Sequence, residues 1–268
     1  MFTTDAKNLA RMAPTLRRVL VVDPNVTAAK LLAETLKGLG VGEVQIKTEG
    51  RGALDICREF EPTLIFTEHR GPQLDGESFA KAVRRSNFVC RKAPIIMVTA
   101  EATAASILGA RDAGVHEFLR KPFTAGDLTK RIEVVALKPR SWIEAVGYVG
   151  PDRRRFNSGE YSGPRKRKAD TPKGAGAEAA VKDQAMRILA SAHKQFDSDP
   201  MQALRAISEQ VVTLKTLAMK VSDTQLVIAV SGLERALNTG QPTRDALAEP
   251  IRAVVALAAP ETQAALAA

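Results

Sequence analysis

The chain has 268 residues, 45% of them apolar and only 4% aromatic, so one large or two modest domains must rest their core on Ala, Val, Leu and Ile. The net charge of +9 admits an anionic partner, although its location matters more than its size. Cys57 and Cys90 stand apart from each other and from any His cluster, which argues against a zinc site or a disulfide framework and suits buried thiols in a reducing cytosol. No apolar run approaches the ~20 residues of a membrane span. The start, Met1 to Asp5, has no signal-peptide pattern, so a cytoplasmic protein is expected.

Residues 1–16 carry a weak helical pattern and then Pro14, and read as an N-terminal arm. From there β-branched runs alternate with helical spacing. Val19–Val22, Val44–Ile46, Leu64–Thr67, Ile95–Val98 and Glu117–Arg120 read as strands. Asn25–Leu39, Gly52–Phe60, Glu77–Arg85, Ala102–Ala113 and Asp127–Leu137 read as helices. Five strand–helix units in succession imply an α/β fold with a parallel sheet covered on both faces, spanning residues 17–137.

Asp23, Glu68, Thr99 and Lys121 each close a strand, so their side chains reach one sheet edge, where open α/β sheets bind ligands. An acid, a hydroxyl and a lysine converging there suit an anion or phosphoryl group. Val19–Asp23, Glu68 through Asp75-Gly76, Val98-Thr99-Ala100 and Lys121-Pro122-Phe123 together resemble the response-regulator receiver family, with its CheY-like, flavodoxin-like five-stranded sheet. That resemblance implies two-component or phosphorelay signalling. It also brings two departures. Glu68 stands where the family places its phosphoacceptor Asp, and Asp23-Pro24 replaces the family's pair of Mg²⁺-binding acids. Proline offers a hard cation no side-chain oxygen, and a glutamate moves the attacking oxygen by about 1 Å, a shift that can cost about 100-fold. A pseudo-receiver with no catalytic residue, no metal site and no cofactor is therefore expected, Mg²⁺ binding being disfavoured. Thr99 and Phe118 match the family's switch pair, and Lys121 its phosphate-sensing lysine. Two readings of Glu68 stay open: a stand-in for phospho-aspartate reaching Lys121 and Thr99, or a carboxylate paired with Lys121 for stability alone.

Other charged residues receive plainer readings. His69 is pointed away from the edge by strand alternation and reads as a loop or face residue, as does His116. Arg84-Arg85 and Arg91-Lys92 read as a solvated basic rim.

Residues 138–178 change composition and read as a largely disordered basic connector. Over 151–173 eight basic residues face three acids, a net +5. Two echoes stand out, Gly150-Pro151-Asp152-Arg153-Arg154-Arg155 and Gly163-Pro164-Arg165-Lys166-Arg167, with Phe156 and Tyr161 between them. Arginine forks suit bidentate phosphate contacts and aromatics can stack on bases, so a cyclic dinucleotide, another polyanion or an acidic surface are candidate ligands. A solubilising linker is the plain alternative.

Residues 179–258 show helical spacing only, in Ala179–Phe196, Pro200–Met219, Asp223–Leu237 and Thr243–Ala256, and read as a separate all-α antiparallel bundle followed by a tail, 259–268. Val211–Thr216 and Leu233–Leu237 are faintly similar to the histidine-phosphotransfer family, with Val212 at the phospho-histidine position. Without the imidazole no phosphoramidate forms. His193 lacks the surrounding motif and reads as a surface residue. The leading expectation is a non-enzymatic signalling adaptor that binds a histidine kinase, a phosphotransfer protein or another response regulator. An effector gripping an anionic ligand through the connector is the rival, and a receiver that is still phosphorylated is the third reading. The sequence leaves the oligomeric state open.

Overall fold

β1 (Arg18–Val22) and β3 (Leu64–Glu68) form where β-branched and large apolar residues run unbroken, as strands buried on both faces require. β2 (Glu43–Lys47), β6 (Ile95–Thr99) and β7 (Glu117–Arg120) join them in one five-stranded sheet of order β2-β1-β3-β6-β7, every pair parallel. Helices α1 (Val26–Gly38), α2 (Gly50–Glu59), α3 (Gly76–Arg85) and α4 (Ala104–Asp112) make the crossovers, and α5 (Ala125–Leu137) follows β7. The computed structural model describes residues 10–153, 175–240 and 242–258, which fall into two units. The first runs to Ile143 and resumes at Tyr148; the second takes residues 144–147 and the helices from Ala175 onward.

Each face of the sheet has its own core. Val19, Val21, Leu64, Phe66, Ile96 and Leu119 pack with Leu32 and Leu36 of α1 and Leu128 and Ile132 of α5. Leu20, Val22, Ile65, Ile95 and Met97 face Ala53 of α2, Phe79, Ala80 and Val83 of α3, and Ala110 of α4. Strand alternation sends successive residues to opposite sides, which is why neighbours in one run serve different cores. Met12 and Leu16, inside the stretch expected to be an arm, belong to the α1–α5 core.

Local chemistry fixes the helix starts. Asn25 accepts from the Ala28 N–H to cap α1, and Thr103 and Thr124 make reciprocal capping boxes on α4 and α5. Asp75 caps α3 by accepting from the Glu77 and Ser78 N–H groups at 3.0 and 3.1 Å. Gly76, which follows it, packs so tightly that a Cβ would stand 2.2 Å from the Glu68 carbonyl oxygen, so the Asp-Gly pair sets the return from β3. A small antiparallel ladder, β4 (Arg70–Gly71) with β5 (Leu74–Asp75), shapes that return and was not expected from the sequence.

Within 138–153, read from the sequence as connector, the chain is folded. β8 (Trp142–Glu144) and β9 (Val149–Pro151) form a two-stranded sheet, and β9 packs on α3. The cationic residues read as a solvated rim are partly inside. Arg84 is only 1% exposed, and its guanidinium donates to the carbonyls of Gly114 (2.9 Å), Arg91 (2.7 Å) and Ala93 (2.8 Å) and bonds His116 Nδ1 (3.1 Å). Trp142 stacks beside Arg84, Arg91 and Lys92, its ring centre 5.4–5.9 Å from the three cationic groups. The rim reading fails at Arg84 because it lies one turn after Ala80, on the buried stripe of α3.

In the second unit α6 (Ala175–Lys194), α7 (Pro200–Lys220), α8 (Thr224–Leu237) and α9 (Arg244–Val255) pack each on the next, and α9 closes back on α6. Met186, Leu189, Ile207, Leu214, Val230, Leu233 and Leu247 are fully buried in this bundle. Pro200 and the caps Asp199, Asp223 and Thr243 sit where helix starts were expected. Among the described residues no helix is long and apolar enough to cross a membrane.

Candidate functional site

The register of the sheet aligns the strand ends. Val22 of β1 lies opposite Thr67, Glu68 opposite Val98, and Thr99 opposite Arg120. Asp23, Glu68, Thr99 and Lys121 therefore emerge at one edge, and three of them are bonded together. The Lys121 ammonium donates to Asp23 Oδ2 at 2.7 Å and to Glu68 Oε2 at 2.6 Å. The second oxygen of each carboxylate is also engaged: Asp23 Oδ1 accepts from the Asn25 N–H at 2.8 Å, and Glu68 Oε1 from the His69 N–H at 2.7 Å.

The cluster is half-enclosed. The Asp23 and Glu68 side chains are 9% and 13% exposed and Lys121 is 25% exposed. Burial alone would depress the Lys121 ammonium, but its hydrogen bonds to Asp23 and Glu68 outweigh that and hold its pKa above the ordinary value. One cation against two carboxylates leaves the edge net negative.

Thr99 and Phe118 flank this cluster without joining it. The Thr99 hydroxyl accepts from the Glu101 N–H at 3.2 Å. Phe118 is buried at 3% exposure with Ala80, Val83, Ala110 and Val115. Pro24 turns its ring onto the β4–β5 return, 2.7 Å from where a Cβ on Gly71 would stand.

His69 lies in the bend between β3 and β4, a loop position as expected, but its side chain is turned inward. It is 4% exposed, its Nε2 is 3.0 Å from Glu77 Oε1, and its Nδ1 has no partner among the described residues. Its backbone N–H helps to hold Glu68, so it supports the cluster through the main chain. His116 is likewise internal. Its Nδ1 takes both the Arg84 guanidinium and the Ile95 N–H (3.3 Å), which places the ring proton on Nε2. Burial first, then Arg84 and Arg140, hold the His116 pKa well below the usual histidine range.

A profile of the response regulator receiver domain matches residues 19–133. A probable chemotaxis protein CheY from Rhizobium etli is 33% identical over 118 residues, which are 44% of this chain and 91% of that protein. The chain belongs to the response-regulator receiver family. Chemotaxis protein CheY1 of Helicobacter pylori is 32% identical over 119 residues, again 44% of this chain and 95% of the relative. The solved structure of chemotaxis protein CheY4 of Vibrio cholerae is 28% identical and covers 44% of this chain and 98% of its own, with a TM-score of 0.42.

The receiver family implies a Mg²⁺ ion at this edge, and the residues present do not fit one. Octahedral magnesium needs several free oxygens at close range. Here Pro24 supplies none, and the Lys121 ammonium already sits on one oxygen of each of the two carboxylates that remain, a cation where a second cation would be repelled. Among the described residues no group of three or more acid, His or Cys side chains could hold a metal.

Of the connector's six candidate anion-binding residues only Arg153 is described. It pairs with Asp112 Oδ1 at 2.9 Å and stacks on Tyr148, 4.5 Å from the ring centre. Arg154, Arg155, Arg165, Lys166 and Arg167 lie outside the described residues, as do Phe156, Tyr161 and the tail. In the bundle Val212 is 64% exposed on α7, and Lys215 beside it pairs with Glu234 of α8 at 2.7 Å. His193 is partly exposed, with Nε2 3.1 Å from the Arg244 carbonyl.

Proposed function

We propose that this receiver is a signalling adaptor that works without phosphorylation, its edge held by Glu68 and Lys121 in place of a phosphoryl group and a metal. One observation carries the reading: the lysine that would meet an incoming phosphoryl group is already bonded to Glu68 at 2.6 Å and Asp23 at 2.7 Å. Phosphoryl transfer relies on positioning and on neutralising charge. A glutamate bonded to Lys121, beside a proline in place of the second acid, provides neither the geometry nor the cation. The Glu68–Lys121 contact without one to Thr99 favours a fixed ion pair over a full phosphate mimic. Activity then lies in protein–protein recognition, with a histidine kinase, a phosphotransfer protein or another response regulator as partner class, and the helical bundle as a second binding module.

Acetyl phosphate with Mg²⁺, followed by intact-mass measurement, is expected to leave the wild-type chain without an added phosphate. The paired substitution P24D/E68D, which rebuilds both missing acids, is expected to gain one. An adduct on the wild type ends the reading.

A second reading has its own support. Arg153, the first arginine of the Arg153–Arg155 run, is anchored on the receiver by Tyr148 and Asp112, so the basic run begins at a fixed point. In this reading the connector binds a cyclic dinucleotide or a related polyanion. Titration calorimetry with cyclic dinucleotides, comparing wild type with R153A/R154A/R155A, separates the two: micromolar binding that depends on the arginines establishes the effector, and its absence removes it.

A further inference from the structure

The sequence separates Cys57 and Cys90, and the fold brings them together at the sheet edge opposite the acidic cluster. Cys57 lies in the last turn of α2, and Cys90 in the 3-10 turn Val89–Lys92 that precedes β6. The Cys90 thiol donates to the Cys57 carbonyl at 3.4 Å, which sets the two residues side by side. Both belong to one apolar cluster, with Cys57 fully buried and Cys90 at 4% exposure.

Their access to solvent differs. Cys90 lines a cavity of about 300 Å³ bounded by Pro14, Thr15, Arg18, Glu61 and Val89. Val89 is 76% exposed, and the Arg18–Glu61 pair (3.4 Å) forms the polar part of the wall. Cys57 lines no part of that cavity. A small polar oxidant can therefore reach one sulfur while the other waits beside it.

We propose that Cys57 and Cys90 are a peroxide-reactive dithiol that closes to an intramolecular disulfide, with Cys90 attacking and Cys57 resolving. The Cys90 thiolate attacks one oxygen of hydrogen peroxide, the O–O bond breaks, and hydroxide leaves, giving Cys90 sulfenic acid. The Cys57 sulfur then attacks Cys90 Sγ, the S–O bond breaks, and the hydroxyl leaves as water once protonated. Two thiols and one peroxide become one disulfide and two waters, so the sulfurs are oxidised and the peroxide reduced. The polarity of the pair agrees with these roles. The neighbouring Cys57, with the backbone N–H and Arg84 adding to it against burial, lowers the Cys90 pKa, whereas Cys90 and burial raise that of Cys57.

The experiment treats the full chain with hydrogen peroxide, alkylates it under denaturing conditions, and reads intact mass and a non-reducing peptide map. Expected are the loss of both alkylatable thiols, a peptide pair linked through Cys57 and Cys90, and full reversal by dithiothreitol. C57S is expected to stall at sulfenic acid on Cys90, trapped by dimedone, and C90S to be inert under the same treatment. The proposal is overturned if both thiols of the wild type stay alkylatable, if only intermolecular disulfides form, or if Cys90 proceeds to sulfinic acid with Cys57 still free. The wild-type arms decide it even if a serine variant fails to fold.

Discussion

Lys121 and Arg84 both lie in the first unit, and the chain satisfies them in opposite ways. At the acidic edge Lys121 is held by two carboxylates and remains a quarter exposed. Between α3 and β9 Arg84 is wholly enclosed by neutral acceptors, three carbonyls and one imidazole nitrogen, and by the Trp142 ring. The first arrangement makes a charged site that solvent and ligands can influence. The second makes a permanent joint. A planar guanidinium with five donors can saturate several carbonyls at once, which a lysine cannot do. Burial lowers the Arg84 pKa all the same, so its hydrogen bonds must hold the charge in place.

The joint should therefore break harder than the site. R84M keeps the bulk but leaves three buried carbonyls without the Arg84 donor, while His116 Nδ1 keeps only the Ile95 N–H. At about 1–3 kcal/mol for an unsatisfied buried group, with partial relaxation, the expected loss is about 4 kcal/mol. Thermal unfolding of the variant measures it, with R84K expected to recover less than half. The next effect is K121M, which leaves two half-buried carboxylates without a counter-ion. Removing one member of a buried pair costs about 3–5 kcal/mol, and the partial exposure here places K121M near about 3. Adding E68Q is expected to restore at least half of it. A K121M loss larger than that of R84M inverts the comparison and makes the edge the tighter structure.

The edge could be read from the sequence and the joint could not, for a physical reason. Asp23, Glu68, Thr99 and Lys121 each end an apolar run, and a parallel sheet forces such ends together whatever surrounds them. Five runs in order therefore gave both the fold and the site's membership. Arg84 offered only one local clue, its spacing of four from Ala80 on the buried stripe of α3, and a neighbouring Arg85 that is exposed masked it. Its partners come from Gly114, His116 and the β8–β9 segment, through contacts that no periodicity encodes. The meeting of Cys57 with Cys90 was hidden in the same way, because it depends on where a 3-10 turn lands. Pro24 and Glu68 marked the departures from the family, but only the geometry shows that Lys121 takes up both remaining carboxylates.

The joint also predicts a pH response. His116 is buried as the neutral ring and its folded pKa lies well below the ordinary 6.5, so below that value the unfolded chain binds a proton that the folded chain refuses. Its contribution to stability is complete above about pH 6.5 and is lost as pH falls towards the folded pKa, at up to about 1.4 kcal/mol per pH unit. Urea unfolding from pH 7.5 down to 5 is expected to show this slope. H116N, whose side-chain oxygen can still accept from Arg84, is expected to lower stability at pH 7.5 and to flatten the slope. An unchanged slope in H116N moves the response to another group.

The smallest effect tests where the joint ends. Arg153 touches the same segment as Arg84, stacking on Tyr148 and pairing with Asp112, yet its side chain is 47% exposed. Exposed ion pairs contribute about 0–1 kcal/mol and a stacked cation at an exposed site about 0.5–1. R153A is therefore expected to lower stability by about 1 kcal/mol or less, and the coupling to D112N in a double-mutant cycle to fall below about 0.5. A larger coupling, persisting in high salt, would extend the rigid joint to Arg153 and tie the start of the basic run into the fold. The expected small value leaves that arginine held loosely enough to exchange Asp112 for an anionic ligand, the condition that the connector reading requires.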